Sequence, residues 1–131
     1  MKNERNDILI KFRPLLKQSI ILNNTNELEV FQNNTLRPII KFQHELLVLV
    51  LKNYLISNKF DIVNTNTEKL SKFTSIAIKN DKQLNLQITH SITGFFTRKE
   101  FDYYSQNKKE IHKRIIQICT ERYLTNLEQL K

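Results

Sequence analysis

Glycine is almost missing from this chain: Gly94 is the only one in 131 residues, beside two prolines, one alanine (Ala77) and no tryptophan. So few residues of free or fixed φ exclude collagen-like, linker-rich and turn-dense all-β designs. With one glycine, neither a G-x-G-x-x-G turn nor a Walker A loop can be built to cradle a phosphate. The single cysteine, Cys119, excludes an internal disulfide as well as Cys₄ and Cys₂His₂ zinc sites. Long apolar runs are lacking too. Ile8-Leu9-Ile10 stops at Lys11, short of the roughly 7–15 residues of a signal-peptide core. The longest run, residues 46–51, rises only about 9 Å in a helix against a hydrocarbon thickness of about 30 Å. The expectation is a soluble, cytoplasmic protein with no membrane partner.

What is present is ordinary for a globular chain: 40% hydrophobic and 26% charged residues. The length fits one domain spanning residues 1–131. The net charge is +8, carried by 15 Lys and 6 Arg. A basic surface gains entropy by releasing phosphate counterions, which points toward nucleic acid. Against this, the cations run from Lys2 to Lys131 interleaved with 13 acids, whereas binding arms show blocks of like charge. A Lys-, Asn- and Ile-rich composition is also what an AT-rich coding sequence produces whatever the function.

Helix starts are frequent. Asn or Thr followed three residues later by Glu or Gln, the spacing of a capping box, occurs at Asn26/Glu29, Thr65/Glu68, Asn80/Gln83, Thr97/Glu100 and Asn107/Glu110. Helical spacing of apolar residues follows each. The pattern predicts helices over residues 4–12, 27–57 with a bend or restart near Pro38, 67–79, 81–93, 98–105 and 108–129, and a short helix or ordered crossing over 15–22. Gly94 is placed to end the fourth of these in a left-handed conformation. Residues 46–51 are apolar all round, which predicts a helix surrounded on every side, either by the rest of its own bundle or by a partner at a dimer interface. The fold expected is therefore all-α: a single compact bundle of five or six helices around a central apolar helix at residues 39–56.

The chemistry-bearing residues are scattered. His44, His90 and His112 lie far apart, and His44-Glu45 lacks the second histidine of an HExxH motif. Cys119 sits in the apolar stripe Ile111, Ile115, Ile118, Tyr123, Leu127, Leu130, where a thiol is a small buried hydrophobe. Lys41 and Glu45 have i,i+4 spacing and read as surface support. Glu100 and Asp102 fall early in a helix, where the macrodipole favours acids. No catalytic residue, metal ligand or cofactor site is assigned. Segment 92–114 interleaves aromatic residues with Arg98, Lys99, Lys108, Lys109, Lys113 and Arg114. A helix–turn–helix there would set these six cations on phosphates. The plainer account has Phe95, Phe101 and Tyr104 locking a turn into the core while the lysines solvate it.

Residues 31–44 (FQNNTLRPIIKFQH) and the run Gly94-Phe95-Phe96-Thr97-x-x-Glu100, continuing through Tyr103 to Asn107, resemble a small family of uncharacterised bacterial proteins of similar length. The likeness covers the chain from about Asp7 onward. Some members carry the label glyoxalase, and that label implies a fold similar to paired βαβββ modules with His and Glu metal ligands on strands. Here the candidate ligands fall in helical patterns. The sequence therefore carries three expectations: a helical protein acting by self-association or contact with another protein, a nucleic-acid-binding module using segment 98–114, and a glyoxalase-like enzyme.

Overall fold

Short polar side chains open the helices. The structure, a computed structural model, describes residues 3–13 and 26–131, so the element expected at 15–22 lies outside the described residues. Asn3 accepts a hydrogen bond from the backbone N–H of Asn6 and starts α1, Glu4–Lys11. Asn26 accepts from Glu29 N and starts α2, Glu27–Phe31. The caps of α5 (Thr67–Asn80) and α6 (Lys82–Thr93) are Asn66 and Asp81, each one residue after the expected cap. Thr97 and Glu100 complete a reciprocal capping box at α7, Arg98–Gln106. Asn107, ahead of α8 (Lys108–Leu124), makes no such bond; its amide donates backward to the Tyr103 carbonyl.

The helix expected over residues 27–57 is three pieces. After α2 the backbone widens into a π turn, Gln32–Leu36, and resumes as α3, Arg37–Phe42. A proline ring clashes with the carbonyl four residues back, here that of Asn34, and a widened turn relieves that clash. The predicted bend at Pro38 is therefore absorbed before the proline, which sits buried in the first turn of α3. A second interruption falls at Gln43, between α3 and α4 (His44–Ser57). This corrects the continuous central helix at residues 39–56. The Gln43 side chain is buried and donates to the Ser91 carbonyl of α6 at 2.8 Å, tying the break to the core. With these divisions the chain is cut more finely than five or six helices.

No strand occurs among the described residues. Helices α5, α6 and α8 pack on one another, and α4 lies against α6 and the closing 3₁₀ turn, Leu127–Leu130. The α8 stripe fills the middle: Ile111, Ile115, Ile118, Cys119 and Tyr123 are buried, and Leu127 and Leu130 of the 3₁₀ turn continue it. Leu84, Ile88 and Ile92 of α6 are buried with them, as the four-residue spacing requires. Tyr123 donates its hydroxyl to the Leu47 carbonyl, which joins α8 to α4.

Two local expectations are corrected here. Gly94 ends α6 with φ −61°, an ordinary right-handed value, and among the described residues the left-handed one is Lys59 at φ 57°. Phe101 is exposed; Phe96 takes its place in the core, edge-on to Phe31 at 5.6 Å and to Tyr104 at 5.6 Å.

Candidate functional site

The polar cluster around Glu100 ties the first helix to the turn between α6 and α7. Its Oε1 accepts from the Thr97 N–H at 2.8 Å, and its Oε2 accepts from the Thr35 hydroxyl at 3.0 Å. Arg13 grips both oxygens, and this is the only ion pair among the described residues. Burial pushes the Glu100 carboxyl up, but the bonds from Arg13, Thr97 and Thr35 outweigh it and hold the group below the usual carboxylate range. The second Arg13 nitrogen also reaches the Phe95 carbonyl, while Arg5 donates to the carbonyls of Gly94 and Phe96. Two arginines thus satisfy three carbonyls just after the end of α6. Glu100 borders a groove of about 600 Å³ lined also by Val30, Phe31, Lys99 and Tyr103. Every acceptor position of this carboxylate is already engaged, so its role is to fasten α7 to the chain before α2.

The three histidines do not converge on a metal, and no group of three metal-ligating side chains exists among the described residues. His112 of α8 donates from Nε2 to Asn85 Oδ1 at 2.7 Å and toward the Thr89 hydroxyl at 3.1 Å, fastening α8 to α6. Its pKa is lowered, by burial first and by the nearby His90 second. His44 accepts from Arg122 Nε at its Nδ1 (2.8 Å) and donates from its Nε2 to Gln129 Oε1 (2.6 Å). That bridge joins α4, α8 and the 3₁₀ turn. Cys119 is buried, and burial pushes its thiol up to about 12, so it is not a thiolate near neutral pH.

The six cations of segment 98–114 occupy different roles. Arg98, Lys99, Lys108, Lys109 and Lys113 are exposed. The Lys108 ammonium lies 6.0 Å from the centre of the Tyr104 ring. Arg114 is half-buried and donates to Gln32 Oε1 at 2.9 Å, a link from α8 to the π turn. The Lys41–Glu45 pair expected on one helix face straddles the break at Gln43 and forms no ion pair.

The apolar surplus expected at residues 46–51 is confined to one side of α4 and continues onto α3, a division the sequence reading did not give. Residues 46–51 are not enclosed: Leu47 and Leu51 are buried, while Leu46 is 43% and Leu49 55% exposed. The exposed apolar residues continue at Phe42 (41%) and Ile56 (61%). Their spacing, with Asn53, is 42, 46, 49, 53, 56: steps of four and three, the a/d repeat along which two helices interlock. Phe12 extends the patch at one end, its ring 6.0 Å from that of Phe42. The signal was in the sequence, hidden because apolar neighbours at Leu47, Val48, Val50 and Leu51 masked the seven-residue spacing.

No helix of the described residues is long and apolar enough to cross a membrane. The chain matches no family model, and neither the curated proteins nor the solved structures contain a significant match to it.

Proposed function

We propose that this protein acts through protein–protein contact, and that the contact is with a second copy of itself along the seam Phe42, Leu46, Leu49, Asn53 and Ile56. The observation that carries this is the seam's exposure combined with its heptad spacing. An isolated exposed leucine needs no explanation, but a row of them at interlocking intervals is a self-complementary surface. A two-fold pair uses the same patch twice, so no separate partner surface is required. Burying such side chains gains roughly 1.5–3 kcal/mol for each one that passes fully from water to contact. Lost translational and rotational freedom takes back much of that, leaving an expected affinity of roughly micromolar order.

The test is sedimentation equilibrium over a concentration series. A monomer–dimer equilibrium supports self-association; a monomer persisting at several hundred micromolar overturns it.

A second reading is contact with a polyanion through Arg98, Lys99, Lys108, Lys109, Lys113 and Arg114. What favours it is that none of these six has an acidic partner among the described residues. Binding to single-stranded nucleic acid that weakens steeply with salt, and further on Lys108→Glu with Lys109→Glu, is the expected result. Absence of binding at low salt ends that reading.

A further inference from the structure

The seam fixes how two copies meet, an inference that rests on the self-association just proposed. Assigning Leu46 and Asn53 to a positions makes Phe42, Leu49 and Ile56 d positions. The flanking charges are then Glu45 and Lys52, both at g and one heptad apart, with Glu45 exposed and Lys52 half-buried. Neither belongs to an ion pair within the described residues.

Three arrangements engage at least four of the five seam positions. In a parallel pair, g faces e of the partner, so Glu45 meets Val50 and Lys52 meets Ser57. No charge is matched. In an antiparallel pair, a faces d and g faces g. One antiparallel register sets Leu46 against Ile56 and Leu49 against Asn53, with Lys52 facing its own copy across the axis. Like charges then meet, and the polar amide sits on a leucine. The other register sets Leu46 against Leu49 twice at the centre and Phe42 against Asn53 on either side. There Glu45 of each copy lies beside Lys52 of the other, giving two symmetric ion pairs.

We infer that two copies pair antiparallel along α4 in this last register, with the two-fold axis between Leu46 and Leu49 and with Glu45 and Lys52 selecting orientation. Charge complementarity is the ground: of the three arrangements, this alone opposes unlike charges, and it also stacks Leu46 on Leu49 at its centre. The four layers span residues 42–53, roughly 17 Å at 1.5 Å per residue, running from the last residue of α3 across the break at Gln43 into α4, with Ile56 beyond the last layer. Phe12, against Phe42 in each monomer, widens both ends of the contact.

Charge reversal tests the orientation, read by sedimentation equilibrium at low salt. Glu45→Lys alone and Lys52→Glu alone each convert two attractions into two repulsions and are expected to weaken the dimer about tenfold. The double variant E45K/K52E restores the pairs with signs exchanged, and its dissociation constant returns to near the wild-type value. Both substitutions are outside the core and leave it intact, so circular dichroism of the monomers stays unchanged. Cysteine pairing gives an independent readout. Under mild oxidation, a mixture of Leu46→Cys and Leu49→Cys variants cross-links to each other in preference to cross-linking with themselves. A dimer that ignores the reversals, or in which copies of Leu46→Cys cross-link among themselves as readily as with Leu49→Cys, overturns the antiparallel register while leaving self-association standing. A wild-type chain that never dimerises overturns both.

Discussion

At the scale of single residues, Glu100 and His112 hold pieces of chain that are distant in sequence. Replacing Glu100 with Ala strands the part-buried Arg13 guanidinium and removes the acceptors of Thr35 and of the Thr97 N–H. The expected cost is about 2 kcal/mol in urea unfolding. The sign of its pH effect follows from its lowered pKa. The native state holds this proton less tightly than the unfolded chain, so its contribution is full above the ordinary carboxylate pKa and disappears as pH falls through the lowered value. His112 also has a lowered pKa, from burial and then from His90. Its neutral form is therefore the native one, and stability is lost as pH falls from the ordinary histidine range through the lowered value. The urea midpoint of His112→Gln should fall less between pH 7 and pH 5 than that of the wild type; equal slopes contradict this role. Apart from the Thr97–Glu100 capping box, none of these links was legible in the sequence. Arg13 and Glu100 are 87 residues apart, and Asn85 and His112 are 27 apart, spacings that no local pattern records.

At the scale of elements, local chemistry was legible where it acts within one turn. The α6 stripe, the α8 stripe as far as Tyr123 and the Thr97/Glu100 box are found where the sequence places them, but the helix expected to run to residue 129 ends at Leu124 and the stripe finishes in the 3₁₀ turn. What failed was burial on α4, because periodicity tells which residues share a face and not which face meets the core. Leu47, Leu51 and Leu55 face inward, on one side of a helix whose other side carries Leu46, Leu49 and Ile56 among polar residues. The two sides separate by mutation. Leu51→Ala leaves a cavity in a fully buried site and should cost about 3 kcal/mol. Leu49→Ala, more than half exposed, should change monomer stability by less than about 1 kcal/mol. Chemical denaturation at low protein concentration reads both values; equal losses would mean that Leu49 is core. The break at Gln43 was equally illegible, since it is tied to a bond with Ser91 on another helix.

At the scale of the whole molecule, the described core is closed by α8 and its 3₁₀ turn, while α3 and α4 leave an interlocking apolar row in water. The histidines and the cysteine are built into that closure: His44 and His112 as bridges, Cys119 as packing. The basic surface adds charge that a dimer keeps, because the proposed contact uses only Glu45 and Lys52 from each copy. The most direct check compares the wild type with Leu49→Asp by sedimentation equilibrium between about 10 and several hundred micromolar, a span set by the expected micromolar affinity. The wild type should pass from monomer to dimer across it, and Leu49→Asp, folded by circular dichroism, should stay a monomer throughout. A wild type that remains monomeric, or a variant that dimerises as well as the wild type, would contradict a paired α4.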